Sequence, residues 1–134
     1  MIELRYRLRV GERIVGYLRR IEGTDFYSPD GFWWTGKPLE YEHVDEAVGL
    51  RDRHRTHLYE WDIVKFKPVP DSAEELGVFL WNKGQKRWVL RSVESEVDYH
   101  LELNGYALFQ SADLLVYSHV FLNPELQRSW GLEE

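Results

Sequence analysis

The sequence predicts a mostly β fold, a β-rich α+β domain with little helix. Three observations point to it. Apolar and polar residues alternate with a period of two over short segments, as in strands with one buried face. Glycine, asparagine and proline separate these segments. Apolar residues make up 43% and aromatic residues 15% of the 134 residues, enough for one domain with a bulky core.

The first predicted element is a β-hairpin. Apolar residues alternate with charged ones over residues 2–10, and residues 14–21 form the returning strand. Gly11-Glu12 lies between them, with glycine in the first position of a two-residue turn. A glycine there adopts positive φ without steric cost, which favours the hairpin.

A second, tighter hairpin is predicted around Ser28-Pro29-Asp30-Gly31, with strands at residues 26–27 and 32–34. Proline in the second and glycine in the fourth position favour a type I turn. Residues 39–44 can form another strand, or a short helix through Ala47, and the pattern leaves both open.

The second half of the chain contains more predicted strands: residues 61–66, 76–81, 87–91, 97–103, 106–109 and 114–121. Pro68-Val69-Pro70 ends the first of them, because proline has no N–H for the ladder. Asn104-Gly105 is the strongest short hairpin signal in the chain. Asn123-Pro124 predicts an N-cap followed by one or two helical turns.

Charge and composition exclude several classes. No cysteine is present, so disulfides and thiolate chemistry are excluded. No apolar run approaches the ~18 residues of a membrane span, and the N-terminus does not resemble a secretory signal. We therefore expect a cytoplasmic protein without a membrane partner.

The net charge of −6 is unevenly distributed. Residues 1–20 carry six arginines and two glutamates, a balance of +4, whereas the remainder carries 11 basic and 21 acidic residues, a balance of −10. Because phosphate contacts supply most non-specific affinity, this acidic body argues against binding to duplex DNA.

Residues 49–64 combine Gly49-Leu50, a charged turn with Asp52, and a segment from Leu58 that ends in Asp62-Ile63-Val64. This stretch resembles the signature of the YopX-like family of small phage and prophage proteins. Residues 3–7 and 116–126 resemble the family's opening and closing segments, in the same order.

The chain also departs from the family's pattern. Trp61 stands where the family has glycine, His54-Arg55 replaces an Asn-Gly turn, and Ser118-His119 replaces Gly-Asn. A turn without its glycine is built from residues that tolerate positive φ poorly, so the loop geometry is expected to differ there.

The resemblance implies a single YopX-like domain over residues 1–134. Its core would be a small SH3-like barrel at residues 49–126, built around the Asp-Ile-Val strand, with N-terminal hairpins at residues 1–48 and a short C-terminal helix. SH3-like barrels support binding more often than catalysis, which is an analogy of fold.

The segment from Arg51 to His57 has the densest set of functional groups. Its candidates for binding a phosphate or a carboxylate are Arg51, Arg53, His54, Arg55 and His57. The alternative is a solvated charged loop. No third ligand with recognisable spacing follows the two histidines, so no metal and no other cofactor is expected.

Arg5, Arg7 and Arg9 share one face of the first predicted strand and form a second candidate, an outward basic face. The alternative is a charged guard on an edge strand, paired with acidic neighbours.

Phe32, Trp33 and Trp34 are consecutive, so a strand cannot point all three inward. At least one is a candidate contact for a protein or a nucleobase, and core packing is the alternative. The remaining strand aromatics are expected in the core: Tyr59, Trp61, Trp81, Trp88 and Tyr117.

No phosphate loop, nucleophile elbow or paired-histidine helix is present, so no catalytic residue is assigned and the chain is not expected to be an enzyme. The leading hypothesis is a phage accessory protein that binds a host or phage protein and forms a homo-oligomer in the host cytoplasm. One alternative is a protein that sequesters a phosphorylated nucleotide signal. Another is a single-stranded nucleic-acid binder that uses the arginine face.

Overall fold

The computed structural model describes residues 3–69, 71–103, 106–123, 125 and 128, and in these residues the chain is mostly β, as predicted. The strands are β1 Glu3–Val10, β2 Arg13–Ile21, β3 Thr24–Ser28, β4 His43–Arg51, β5 His57–Tyr59, β6 Asp62–Phe66, β7 Glu75–Asn82, β8 Arg87–Ser92, β9 Asp98–His100, β10 Glu102–Leu103, β11 Tyr106–Ala107 and β12 Leu115–His119. Single 3-10 turns occur at Ser111–Asp113 and Val120–Leu122.

The described strands form two five-stranded antiparallel sheets, in the orders β3-β2-β1-β4-β5 and β12-β6-β7-β8-β9, with β10 and β11 as a separate pair. The closed SH3-like barrel that the resemblance implied is therefore not seen in the described part of the chain. The chain divides into two compact units, Met1–Ala47 and Val48–Glu134. This division falls next to the expected boundary between the hairpins and the core.

The first hairpin forms as its turn residues predict. Val10 pairs with Arg13 across a two-residue turn, and Gly11 has a φ of +59°. Lys86 ends a longer turn between β7 and β8, which pair as expected from Gly77 to Asn82.

The second hairpin was predicted wrongly. β3 instead pairs with β2 as the third strand of a meander, and the returning segment makes an isolated bridge between Tyr27 and Thr35. Phe32 and Trp33 donate their backbone N–H groups to the Asp30 side chain, which takes the place of a strand ladder. For residues 39–44 the sequence allowed either a strand or a short helix, and in the structure they contribute the start of strand β4.

Other expectations lie partly outside the described residues. The Asn104-Gly105 turn is one of them, although β10 and β11 pair on either side of it. Glu125 and Arg128 are helical, and the rest of the predicted C-terminal helix falls on residues that the structure does not describe.

The core of the second unit consists of two clusters of buried apolar side chains, packed on the sheet β12-β6-β7-β8-β9. Phe66 lies fully buried at its centre, with edge-to-face contacts to Tyr99 at 5.6 Å and Phe109 at 5.9 Å between ring centroids. Gly77 faces this ring, since a Cβ there would come within 2.7 Å of Phe66 Cε1. The chain therefore needs glycine at this point in β7.

The aromatic core residues were predicted with mixed success. Tyr59 is buried, and Trp61 and Trp88 are half-buried against the core clusters. Trp81 and Tyr117 are 41% and 56% exposed, so their assignment to the core was wrong. Within the described residues, no helix is long and apolar enough to span a bilayer.

Candidate functional site

The first candidate site is the aromatic loop, residues 29–36 of the first unit. Phe32 is 88% and Trp33 75% exposed, the two largest exposed fractions among the bulky apolar side chains described. Each aromatic ring buries about 150–250 Å² when it is covered, so two exposed rings side by side forgo hydrophobic stabilisation. Such an exposed apolar patch indicates a contact surface.

Side-chain hydrogen bonds fix the backbone of the aromatic loop. The N–H groups of Phe32 and Trp33 donate to Asp30 Oδ1 at 2.8 and 3.1 Å, and that oxygen also accepts the Ser28 hydroxyl at 2.9 Å. Gly31 donates its N–H to Ser28 Oγ at 2.8 Å. The bonds from Phe32 and Trp33 are the main cause that lowers the pKa of Asp30 below its ordinary value.

Trp34 behaves differently from its two neighbours and packs on the sheet of the first unit. The guanidinium carbons of Arg5 and Arg19 lie 5.8 and 5.1 Å from the centroid of its ring, within cation–π range. Both arginines also bind Glu3, whose pKa is lowered chiefly by the hydrogen bond from Arg19. Trp34 is therefore a structural residue, and the exposed pair consists of Phe32 and Trp33.

The expected outward basic face does not exist at Arg7 and Arg9, which are buried. Both bind Asp45 on the neighbouring strand β4: Arg7 Nε lies 3.0 Å and Arg9 Nε 2.9 Å from Asp45 Oδ2. Arg9 also donates to the backbone carbonyl of Gly11 at 2.8 Å. The alternative of pairing with acidic neighbours is correct, but β1 lies inside the sheet between β2 and β4 and is not an edge strand.

The second candidate site is the signature loop, residues 51–57, which is organised around a buried carboxylate. Asp52 Oδ1 accepts the backbone N–H groups of His54 and Thr56 at 2.9 and 3.0 Å. Asp52 Oδ2 accepts the N–H of Val116 on β12 at 3.1 Å. These bonds give the loop one defined shape and join it to the sheet.

The five loop candidates do not converge on one point. Arg51, Arg53, His54 and Arg55 are exposed around the buried Asp52, and His57 is half-buried at the start of β5. The backbone N–H of Arg53 donates to the Leu114 carbonyl at 2.9 Å, which ties this position to the segment before β12. Arg53 also lines a groove of about 780 Å³ in the second unit, whose lining in the described residues does not include the other four.

This groove adds residues that the sequence did not single out. Its lining includes Lys67, Glu74, Tyr99, His100 and Phe109, which come from separate segments of the chain. No spacing in the sequence could indicate the set, because the sheet and the segment after β11 bring the side chains together. Asp45 was likewise missed, whereas Asp30 and Asp52 were named only as members of their turns, without the structural role that each has.

Within the described ranges, no group of three or more histidine, aspartate or glutamate side chains is arranged to hold a metal ion. No family model, curated protein or solved structure compared with this chain matches it. The candidate sites are therefore supported by the geometry of this chain alone.

Proposed function

We propose that this chain is a non-enzymatic accessory protein of the YopX-like type, from a phage or prophage, which binds a host or phage protein in the host cytoplasm. The aromatic loop is the contact, with Phe32 and Trp33 as its anchors. In this proposal the chain acts as a homo-oligomer.

The observation that carries the proposal is the combination of exposure and order in the aromatic loop. Large aromatic side chains dominate the energetics of protein contacts when they enter a pocket on the partner. Binding also costs the freedom of whatever must be ordered, and Asp30 already orders the backbone of Phe32 and Trp33. A loop fixed before binding loses less free energy on association than a flexible one.

The backbone of residues 49–64 supports the YopX-like resemblance. Arg55 and Trp61 have φ values of +65° and +74°, a region that favours glycine. They occupy the two positions of residues 49–64 where this chain replaces a glycine of the family, and the third, Gly49, is retained with a φ of +95°. A shared backbone with altered side chains would produce this pattern, which runs against the expectation that the loop geometry differs where glycine is replaced.

The alternative that the arginine face binds single-stranded nucleic acid loses its support. Arg7 and Arg9 are buried against Asp45, so two of the three side chains that would contact phosphates are inaccessible. Arg5 is held between Glu3 and Trp34.

The test compares the Phe32→Ser/Trp33→Ser double variant with a Tyr117→Ser control, which removes an exposed aromatic ring from the other unit. Each is used as bait in lysate of a host cell with and without phage, and each is measured by light scattering. The native chain and the control should retain the same captured protein and the same oligomer mass. The double variant should lose the captured protein while it remains folded. Capture that survives in the double variant, or that is lost in the control, would overturn the proposal.

A further inference from the structure

The groove in the unit Val48–Glu134 has a volume of about 780 Å³, within the range of small-molecule sites. It combines cationic side chains, aromatic rings and carboxylates. These three kinds of group together define the chemistry of a ligand that the aromatic loop does not address.

The cationic part consists of Arg53 and Lys67. The Arg53 side chain is 40% exposed, and its Nη2 lies 3.9 Å from the Glu74 carboxylate, too far for a hydrogen bond. Lys67 is exposed and forms no ion pair with another described residue. The Leu114 carbonyl accepts the backbone N–H of Arg53, and Asp52 accepts that of His54, so the backbone from which the Arg53 side chain extends has a defined position.

His100 adds a hydrogen-bond donor. Its Nδ1 lies 2.9 Å from Arg87 Nη1, and a guanidinium only donates, so Nδ1 accepts. The proton of a neutral ring is then on Nε2, which makes that nitrogen a donor.

The aromatic part consists of Tyr99 and Phe109. Both rings pack edge-to-face on the buried Phe66, so the core of the unit holds them in place. Phe109 is buried at 6% exposure and supports the floor of the groove, whereas Tyr99 is half-buried and offers apolar surface to a planar ligand without loss of side-chain freedom.

The carboxylates Glu74 and Asp113 also line the groove. They disfavour a simple anion, since they offset the charge of Arg53 and Lys67. They favour a ligand that carries N–H donors as well as a negative group. A phosphorylated nucleoside has all three complements: a phosphate, a planar base, and the amino and hydroxyl donors of base and ribose.

We propose that this groove binds a phosphorylated nucleoside, with the phosphate at Arg53 and Lys67 and the base against Tyr99. This site lies in a different unit from the aromatic loop and does not depend on the protein contact proposed there. It gives Arg53, alone among the five loop candidates, a ligand-binding role.

The experiment is calorimetric titration of the full chain with nucleoside mono-, di- and cyclic monophosphates, beside the unphosphorylated nucleosides and inorganic phosphate. The nucleotides should bind more tightly than either the nucleosides or phosphate alone. Arg53→Gln and Lys67→Gln should each weaken binding about tenfold, the loss expected for one charge-assisted contact. Arg51→Gln is the matched control, an exposed arginine of the same loop outside the groove lining, and should bind as the native chain does.

Three results would overturn the proposal: no nucleotide binding at millimolar concentration, equal affinity for phosphate alone, or an equal loss in Arg51→Gln and Arg53→Gln. The Phe32→Ser/Trp33→Ser variant should keep its nucleotide affinity. That arm separates a failure of the groove from a failure of the protein contact.

Discussion

Asp52 and Val116 lie 64 residues apart in the sequence and are joined by a hydrogen bond of 3.1 Å from the Val116 N–H to Asp52 Oδ2. The other oxygen of the same carboxylate accepts the N–H groups of His54 and Thr56. Oδ1 thus stabilises the conformation of the signature loop, and Oδ2 attaches the loop to β12. The buried carboxylate shapes the backbone next to Arg53, and the Leu114 carbonyl accepts the Arg53 N–H itself.

Asp52→Asn should destabilise the second unit by about 2–3 kcal/mol. The amide keeps one acceptor oxygen, and its NH₂ group then faces a backbone donor that Asp52 had satisfied. Urea unfolding followed by tryptophan fluorescence measures the change in free energy of unfolding. Asp71→Asn, an exposed turn substitution, serves as control. A loss in Asp52→Asn no larger than in this control would show that the buried hydrogen bonds are unimportant.

Asp45→Asn should lower the free energy of unfolding by more than Asp52→Asn does, by about 3–5 kcal/mol. The substitution leaves the guanidinium groups of Arg7 and Arg9 buried without the carboxylate that both bind. Asp25→Asn is the comparison, since Asp25 pairs with Arg20 at a partly exposed position at the other edge of the meander. Exposed pairs contribute little, so its unfolding curve should stay close to that of the native chain. Similar losses in both variants would contradict the assignment of Asp45 as the centre of a buried cluster.

The difference between these aspartates shows where the sequence was informative. Gly11-Glu12 determines a two-residue turn by local backbone chemistry, so the first hairpin and its register were predictable. The alternation over residues 2–10 correctly places Arg7 and Arg9 on one face. It carries no information about what covers that face, and Asp45 comes from a strand more than 30 residues later.

The same limit applies to the candidate sites. The exposure of at least one residue among Phe32, Trp33 and Trp34 follows from their adjacency. The absence of the second hairpin does not follow from the sequence, because Asp30 accepts hydrogen bonds from backbone N–H groups that would otherwise have paired in a strand ladder. The groove at Arg53 depends on segments distant in sequence, which only the folded sheet brings together.

Arg55→Gly should stabilise the chain by about 0.5–1 kcal/mol, since Arg55 has a φ of +65° and glycine adopts this conformation without steric cost. The matched control is Arg53→Gly in the same loop, whose φ is not positive, and which should be destabilising. Chemical unfolding of the two variants measures both changes. If Arg55→Gly were destabilising by as much as Arg53→Gly, the left-handed backbone at Arg55 would be refuted.

The order of the aromatic loop should depend on pH through Asp30. The hydrogen bonds from Phe32 and Trp33 lower the pKa of Asp30 in the folded state, so its ionised form is the one that the loop stabilises. The contribution to stability is therefore complete above the unfolded value of about 3.9 and is lost as the pH falls through the lowered folded value. Amide chemical shifts of Phe32 and Trp33, followed by NMR from pH 7 downward, should stay constant until below about pH 4 and then move together. Asp30→Asn, whose amide oxygen accepts at every pH, should abolish this transition, and a transition that persists in that variant would assign it to another group.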